Sequence, residues 1–491
     1  MKKITFVLMA VVAAISTSCT DFLNESNPNA VTSASYFKNE AEISNSLNAA
    51  YASLKLGYYF ANSYHFTDIR SNLAYCGDSG ARGGAYFQFF NFTLNEENEF
   101  IKSRYQNIYK SIGRANKLIY HLNDITWSDP NTPIAYEAEA RFIRSLGFYT
   151  LVTEWGGVPV FDHALTSLSE IKAYDHRFPK ADVFQQIFDD MDFIVKSPLS
   201  DRDSEATCGR VSKAAAYALW GKAALQFATD EECPAETKAA LLKKAEEVLL
   251  ACWNLRGFNE LKDIPFSQVW DIKTQKKCKE NIFQINYVAK NATLGSDFAY
   301  VFGPSMESGI TSKHACNGAS TTLKDVFDMY DANDVRKNYL RKTIAGGSEY
   351  YHSMKYVDLD CGTDGYGANN WIVLRYSDVA LMLAEAYYWD NNATEAKNWM
   401  NAVRKRAGLA DWVGASNELK DAIYTERMKE FIHEGHSWHD RLRQFTTAEL
   451  VAFYGAKNPN FTTKDRYFPI PYDERILNPE GLPQNPGYLS E

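Results

Sequence analysis

Residues 433–439 read His-Glu-Gly-His-Ser-Trp-His, placing three imidazoles and a carboxylate within seven positions. A helical zinc site of the HExxH kind needs two histidines four apart, so that both turn toward one metal. The fourth residue after His433 is Ser437, so that spacing fails. His433 and His436, three apart, could share a ligand, but the expected role is packing at a helix end. Gly77-Asp78-Ser79-Gly80 copies the nucleophile turn of serine proteases, a chemistry that requires a His and an Asp brought to the Ser. Followed by Ala81-Arg82 on a helical chain, it reads as a Gly-rich loop. The acidic run Asp358–Gly365 suggests calcium, yet an EF-hand needs Gly sixth and Glu twelfth, and Thr363 and Asn369 stand there. Glycoside hydrolysis needs two carboxylates facing across a cleft, and nothing singles out a pair among 61 acidic residues. We therefore expect no catalytic residue, no metal and no cofactor.

Aromatic side chains are the better candidates. Sugars are held by stacking their C–H faces on Tyr and Trp while amides, Asp and Arg take the hydroxyls, and the chain carries 30 Tyr and 10 Trp. Two stretches rich in Gly, Asn and aromatics, Leu56–Phe92 and Leu255–Asn370, do not read as helix. Irregular segments this long are usually functional surfaces. The first offers Arg70, Asn72, Tyr75, Asp78, Tyr86 and Phe87. The second offers Tyr287, Tyr300, Tyr350, Tyr366 and Trp371. For any one of them core packing is the commoner fate; as two sets they mark a concave ligand site.

The elements that must position these residues are helical. Between Glu97 and Asn123, Ile101, Tyr105, Ile108, Ile112, Ala115, Ile119 and Leu122 recur at steps of four and three, one apolar stripe on a long helix. Val211–Thr229 repeats the rhythm with Ala214, Ala218, Gly221, Leu225 and Ala228, a small-residue stripe for a neighbour to approach closely. Its expected partner is Lys238–Cys252. Tyr376, Val379, Leu383 and Ala386 mark a further helix, and Thr394 is the expected N-cap of the next, stopped by Gly408. Two antiparallel helices in about 34 residues match a tetratricopeptide-like unit. The expected fold is all-α: degenerate tetratricopeptide-like hairpins in a right-handed scaffold, with long aromatic-rich loops.

The N-terminus reads as an address. Met1-Lys2-Lys3 is basic, and Ile4–Ile15 is an apolar run of twelve, too short to span a bilayer and right for a signal-peptide core. Ser16-Thr17-Ser18 then precede Cys19, as in a lipobox, although Leu is commonest where Ser16 stands. We expect a signal peptide over 1–18, lipidation at Cys19, a tether over 19–38 and one domain over 39–491, its N-terminal part about 39–270 and its C-terminal part about 271–491. The net charge is −9, or −11 once Lys2 and Lys3 are removed, with no basic cluster, which argues against nucleic acid. Seven further cysteines form no CxxC pair, which gives a zinc ribbon no support, and as scattered singletons they read as buried small hydrophobes rather than a disulfide framework.

Several segments, in this order, resemble the SusD/RagB family of surface glycan-binding lipoproteins from Bacteroidetes. They are Tyr136–Phe161 (YEAEARFIRSLGFYTLVTEWGGVPVF), Gly209–Phe227 (GRVSKAAAYALWGKAALQF), Leu374–Glu385 (LRYSDVALMLAE), Met400–Leu409 (MNAVRKRAGL) and Ile423–Arg443 (IYTERMKEFIHEGHSWHDRLR). A tail with PIPYDE and QNPGY follows. Ser437, where many members carry Arg, and Arg441, often Leu, depart from the pattern. Arg427, Glu430 and Glu434 fall on one helix face, with Asp440 and Arg443 beyond the turn, an expected charge network that locks the C-terminal helix. The resemblance implies a non-enzymatic role: capture of an oligosaccharide at the outer face of the outer membrane, as the lid of a SusC-like TonB-dependent β-barrel. It allows peptide cargo in place of sugar. A surface glycan hydrolase and a helical adaptor binding only protein are the alternatives from other classes.

Overall fold

The computed structural model describes residues 36–57, 59–60, 63–76, 84–304, 320–361 and 365–488. The expected signal segment 1–18, Cys19, the Gly77–Gly80 turn with Asp78, and Cys316 lie outside the described residues.

The apolar stripes fold as helices that pack each on the next. The first, α1 (Glu40–Ser53), is capped by Asn39, whose side chain accepts from the Glu42 N–H at 3.0 Å. A short α2 (Phe87–Asn91) precedes α3 (Glu99–His121), where Asn98 accepts from the N–H groups of Phe100 and Ile101. The stripe expected on α3 is buried through Ile101, Tyr105, Ile108, Ile112 and Ala115. Then come α4 (Asn131–Trp155), α5 (Leu168–Tyr174), α6 (Lys180–Lys196), α7 (Lys213–Ala228) and α8 (Ala235–Asn254). From Ala138 onward every residue of α4 but Arg141 is buried, the mark of a helix surrounded by others. Contacts run α1–α3–α4–α6–α7–α8, the nearest-neighbour stacking of a helical-repeat frame. The small-residue stripe on α7 does meet α8: a Cβ at Gly221 would lie 2.4 Å from Leu249 Cγ.

After α9 (Phe266–Trp270), α10 (Phe298–Phe302) and α11 (Lys324–Asp328), the frame resumes with α12 (Tyr376–Trp389) against α8, and α13 (Ala393–Arg406) against α12. The N-cap of α13 is Asn392, not Thr394: its side chain accepts from Glu395 N–H at 3.2 Å. Asn is at least as good a cap as Thr, and it comes first in the chain. Gly408 ends the hairpin at φ +80°. The chain closes with α14 (Leu419–Phe431), α15 (Ser437–Gln444), α16 (Thr447–Gly455) and α17 (Tyr472–Arg475).

The irregular stretches hold strands that periodicity does not announce. A four-stranded antiparallel sheet runs in the order β1 (Ala74–Tyr75), β3 (Thr321–Thr322), β5 (Ser348–Ser353), β4 (Leu340–Ala345), and a ribbon pairs β2 (Asn281–Ile285) with β6 (Trp371–Arg375). Both ribbon strands are buried throughout, so they lack the in–out alternation that identifies a strand. Leu374 and Arg375 of the segment expected as helix belong to β6. The molecule is mostly helical, and its sheet joins the two aromatic stretches.

Candidate functional site

The histidine-rich segment disperses rather than converging. His433 Nε2 lies 2.8 Å from Thr322 Oγ1, His436 stacks on Phe431 at 4.7 Å, and His439 Nε2 lies 3.1 Å from Glu154. Burial, helped by the charge of Lys355, pushes His433 down to about 3, so it stays neutral. Among the described residues no group of His, Cys, Asp and Glu could hold a metal.

Around these histidines lies a charged interior. Glu430 accepts from Arg375 Nη1 at 2.6 Å, from Arg336 Nη1 at 3.1 Å and from Arg406. Arg375 also reaches Glu280 at 2.8 Å and Glu434 at 2.8 and 3.0 Å. Lys355 Nζ donates to Glu434 at 2.6 Å and to the carbonyls of Glu430 and Ile432. Beyond the turn, Arg427 donates to Asp378 and Asp440, both at 2.8 Å, and Arg443 clasps Glu385 while donating to Asp440 at 2.6 Å. Burial alone would raise Glu430 and Asp378, but their cations overcome it and hold both carboxyls well below the usual range. Every carboxylate named here is bound by a cation from another segment, so the network ties α12, α13, α14 and α15 to β6.

Three candidate ligand residues are interior. Arg70 has no exposed surface: it lies over Phe92, Trp438 and Phe468 at 5.0–5.4 Å and donates to the Asp465 carbonyl at 2.6 Å. Tyr287 (5% exposed) and Trp371 (2%) join a buried ladder of rings. Tyr287 meets Phe298 at 5.3 Å, and Phe298 meets Trp371 at 5.1 Å and Tyr356 at 5.4 Å. The ladder continues from Tyr356 to Phe302, Tyr64 and His65, and Tyr86 stacks on His65 at 4.3 Å and on Phe100 at 4.0 Å. These rings support the surface from beneath. A large aromatic next to a loop hides more area by turning inward, and sequence position alone does not reveal which way it turns.

The remaining described candidates are half-buried and gather in two places. Around Phe90 on α2, Tyr75 meets the ring edge-on at 5.2 Å, Phe87 stacks at 5.9 Å, and the Asn72 amide donates to the Phe90 carbonyl at 3.1 Å. Asn72 holds φ +51°, where Asn is among the least strained residues. The sheet carries this cluster toward Tyr350. Tyr75 pairs with Thr321 and Thr322 with Tyr351, so the pleat turns Tyr75, Thr321, His352 and Tyr350 to one face. Thr322 and Tyr351 turn the other way, onto His433 and Phe327. Two strand spacings and two residues of offset separate Tyr75 from Tyr350, roughly 12 Å. Thr343, opposite Tyr350 on β4, bonds His352 Nε2 at 3.0 Å.

The second place is the 290–304 loop. A bridge between Ser296 and Gly367 (3.0 and 2.7 Å) and a bond from Lys290 N–H to the Tyr366 carbonyl (2.9 Å) fix Tyr366 beside it. Tyr300 is the one residue of α10 that is not buried. Sequence reasoning missed Phe90, Thr343 and His352; the Phe87-Gln88-Phe89-Phe90 run was the available signal.

Comparison with known proteins bears on the whole chain. The family model described as the SusD family matches residues 311–488, and one described as starch-binding, associating with the outer membrane, matches residues 21–225. A curated relative, SusD-like protein P2 of Formosa agariphila, is 27% identical over 525 residues, covering 99% of each chain. Surface glycan-binding protein A from Bacteroides uniformis superposes with a TM-score of 0.76 at 22% identity, over 91% of this chain and 99% of that one. The same-named protein from Bacteroides thetaiotaomicron, in complex with laminarihexaose, gives 0.73 at 19% identity, over 91% and 99%.

Proposed function

Because the chain belongs to the SusD/RagB family, we propose that it captures an oligosaccharide at the cell surface and serves as the lid of a SusC-like TonB-dependent transporter. The observation that carries this reading is the cluster of half-buried rings, Tyr75 and Tyr350 on one sheet face and Phe87 on the adjoining α2, drawn from two distant stretches with Asn72 beside them. Rings roughly 12 Å apart suit a short oligosaccharide better than a single sugar, each ring taking a C–H face while amide and hydroxyl groups take hydrogen bonds. The ring ladder beneath gives the platform rigidity, so little ordering entropy is lost on binding. That relatives of this fold bind glycans supports the reading.

In the same proposal Cys19 carries the lipid, residues 1–18 are removed on export, and the anchored chain works at the outer membrane without catalysing a reaction. Two or more acyl chains anchor stably where one does not, at roughly 0.8 kcal/mol per buried methylene. The test is affinity electrophoresis of the chain from Thr20 to Glu491 through gels containing different polysaccharides. Retardation by one glycan, lost in Tyr75→Ala and Tyr350→Ala, establishes the binder and its substrate class. No retardation by any, with the fold intact, turns the reading to peptide cargo. Detection of the mature protein solely in the periplasm would sink the lid role.

A further inference from the structure

Where the C-terminal half of α1 meets β2 and the turn at residues 208–210, a pocket of about 270 Å³ is lined by Asn48, Lys55, Arg210, Ile285, Asn286 and Leu294 among others. Its charges do not balance. Arg210 gives Nε and Nη2 to the two oxygens of Glu139, both at 2.6 Å, which leaves Nη1 with no acceptor among the described residues. Glu139 is further occupied by the Tyr51 hydroxyl. Lys55 has no carboxylate and no hydrogen-bond acceptor for Nζ among the described residues; its ammonium lies 4.6 Å over the buried ring of Tyr287. Burial draws its pKa down, and no neighbouring acid opposes that. Among the described residues lining the pocket Lys55 and Arg210 are the cations, and the carboxylate bonded to either of them is Glu139, in a chain whose net charge is −9. The Asn286 amide is already committed, accepting from Asn370 Nδ2 at 2.8 Å and donating to the Cys208 carbonyl at 2.6 Å, so the wall is set before any ligand arrives.

We propose that this pocket binds the oxyanion substituent of an acidic sugar, a carboxylate or a sulfate ester, with Lys55 Nζ and Arg210 Nη1 as donors and the Ile285 and Leu294 side chains against the ring. A half-buried ammonium with no counter-ion among the described residues gains a charge-assisted bond when such a group enters, and neutral sugars offer nothing equivalent. The site is separate from the outward sheet face and does not depend on that face binding anything.

The test titrates the Thr20–Glu491 chain with glucuronate, glucose 6-sulfate and glucose by calorimetry. Binding of one or both anions and not of glucose is expected; which anion binds tells carboxylate from sulfate. Lys55→Met should weaken anion binding about tenfold or more, while Lys55→Arg retains most of it. Glucose binding as well as glucuronate, no binding of either anion, or unchanged anion affinity in Lys55→Met would overturn the proposal. Retardation of Lys55→Met by a neutral polysaccharide that retards the wild type should be unchanged, which confirms the fold and reads the sheet-face site separately. If a folded Lys55→Met loses that retardation, the pocket is part of the neutral site and the acidic-sugar assignment fails.

Discussion

Replacing Glu430 by Gln isolates the worth of the charged interior. The side chain keeps its shape but exchanges one acceptor oxygen for an amide that points donors at donors. Three buried guanidiniums, those of Arg375, Arg336 and Arg406, lose a shared counter-charge. Removing one partner of a buried pair costs about 3–5 kcal/mol, because the remaining charge is left uncompensated. Arg375 retains Glu280 and Glu434, and Arg336 retains Asp334 and Glu426, which places the cost near the low end, about 3 kcal/mol. A chain of this length has an unfolding entropy of about 1 kcal/mol per kelvin, so Tm should fall by about 3 °C at pH 7. The pH dependence sharpens the test. The folded pKa of Glu430 is depressed, so its stabilisation is complete above the unfolded value of about 4.3 and is lost as pH falls below it. Circular-dichroism melts from pH 7 to pH 3 should therefore show the wild-type advantage shrinking only below about pH 4.3. A Tm change under about 1 °C, or an advantage that already shrinks between pH 7 and 5, would refute the reasoning.

Asp68 behaves oppositely: burial pushes it up to about 6 although Ser437 Oγ donates to it at 2.8 Å. An acid raised in the fold costs stability as pH rises from about 4 to 6. Asp68→Asn should therefore gain on the wild type by up to about 3 kcal/mol across that window in urea titrations, and a pH-independent difference would contradict it. Gly221→Leu should destabilise by at least about 1–3 kcal/mol, because even a Cβ there meets Leu249 at 2.4 Å; an unchanged Tm would mean that α7 and α8 can separate without cost. Tyr75→Ala and Tyr350→Ala should abolish glycan retardation with Tm nearly unchanged, since both rings are half-buried and neither belongs to the buried core; a loss of fold in either would remove them from the ligand face. Cys19→Ser should release the exported protein from the membrane fraction, and persistent membrane association would remove the lipid anchor.

The helical frame was legible because its stripes are long: α3, α7, α8 and α12 bury the positions at which their apolar residues recur, apart from Ile119 of α3, which is half-buried. What was not legible has a physical reason in each case. β2 and β6 bury both faces and so show no alternation, and β1 and β3 are two residues each, below any periodic signal. Arg70 is a candidate sugar ligand by residue type, yet it is packed among three rings, a role that only the approach of residues 92, 438 and 468 to residue 70 creates. Tyr287 and Trp371 differ from Tyr75 and Tyr350 in the direction they face, which is fixed by pairing across hundreds of residues.

The same contrast explains why the strongest sequence motifs carry the least information about ligand. Glu430 with Arg375, and Arg427 and Arg443 with Glu385 and Asp440, satisfy one another in three dimensions, and changing any one leaves a buried charge short of a partner. Their identities are constrained by cost, whatever the molecule binds. Tyr75, Phe87 and Tyr350 are held by backbone register and by rings beneath them, so each can be exchanged for another side chain at little cost to the fold. A frame with its charges locked inside and its aromatics borne on a small sheet can change what it binds without changing how it folds. The cations of Lys55 and Arg210 stand outside both groups: Lys55 meets no carboxylate among the described residues, and Arg210, paired with Glu139, has an Nη1 with no acceptor among them, and that is the reason to look for an acidic ligand there.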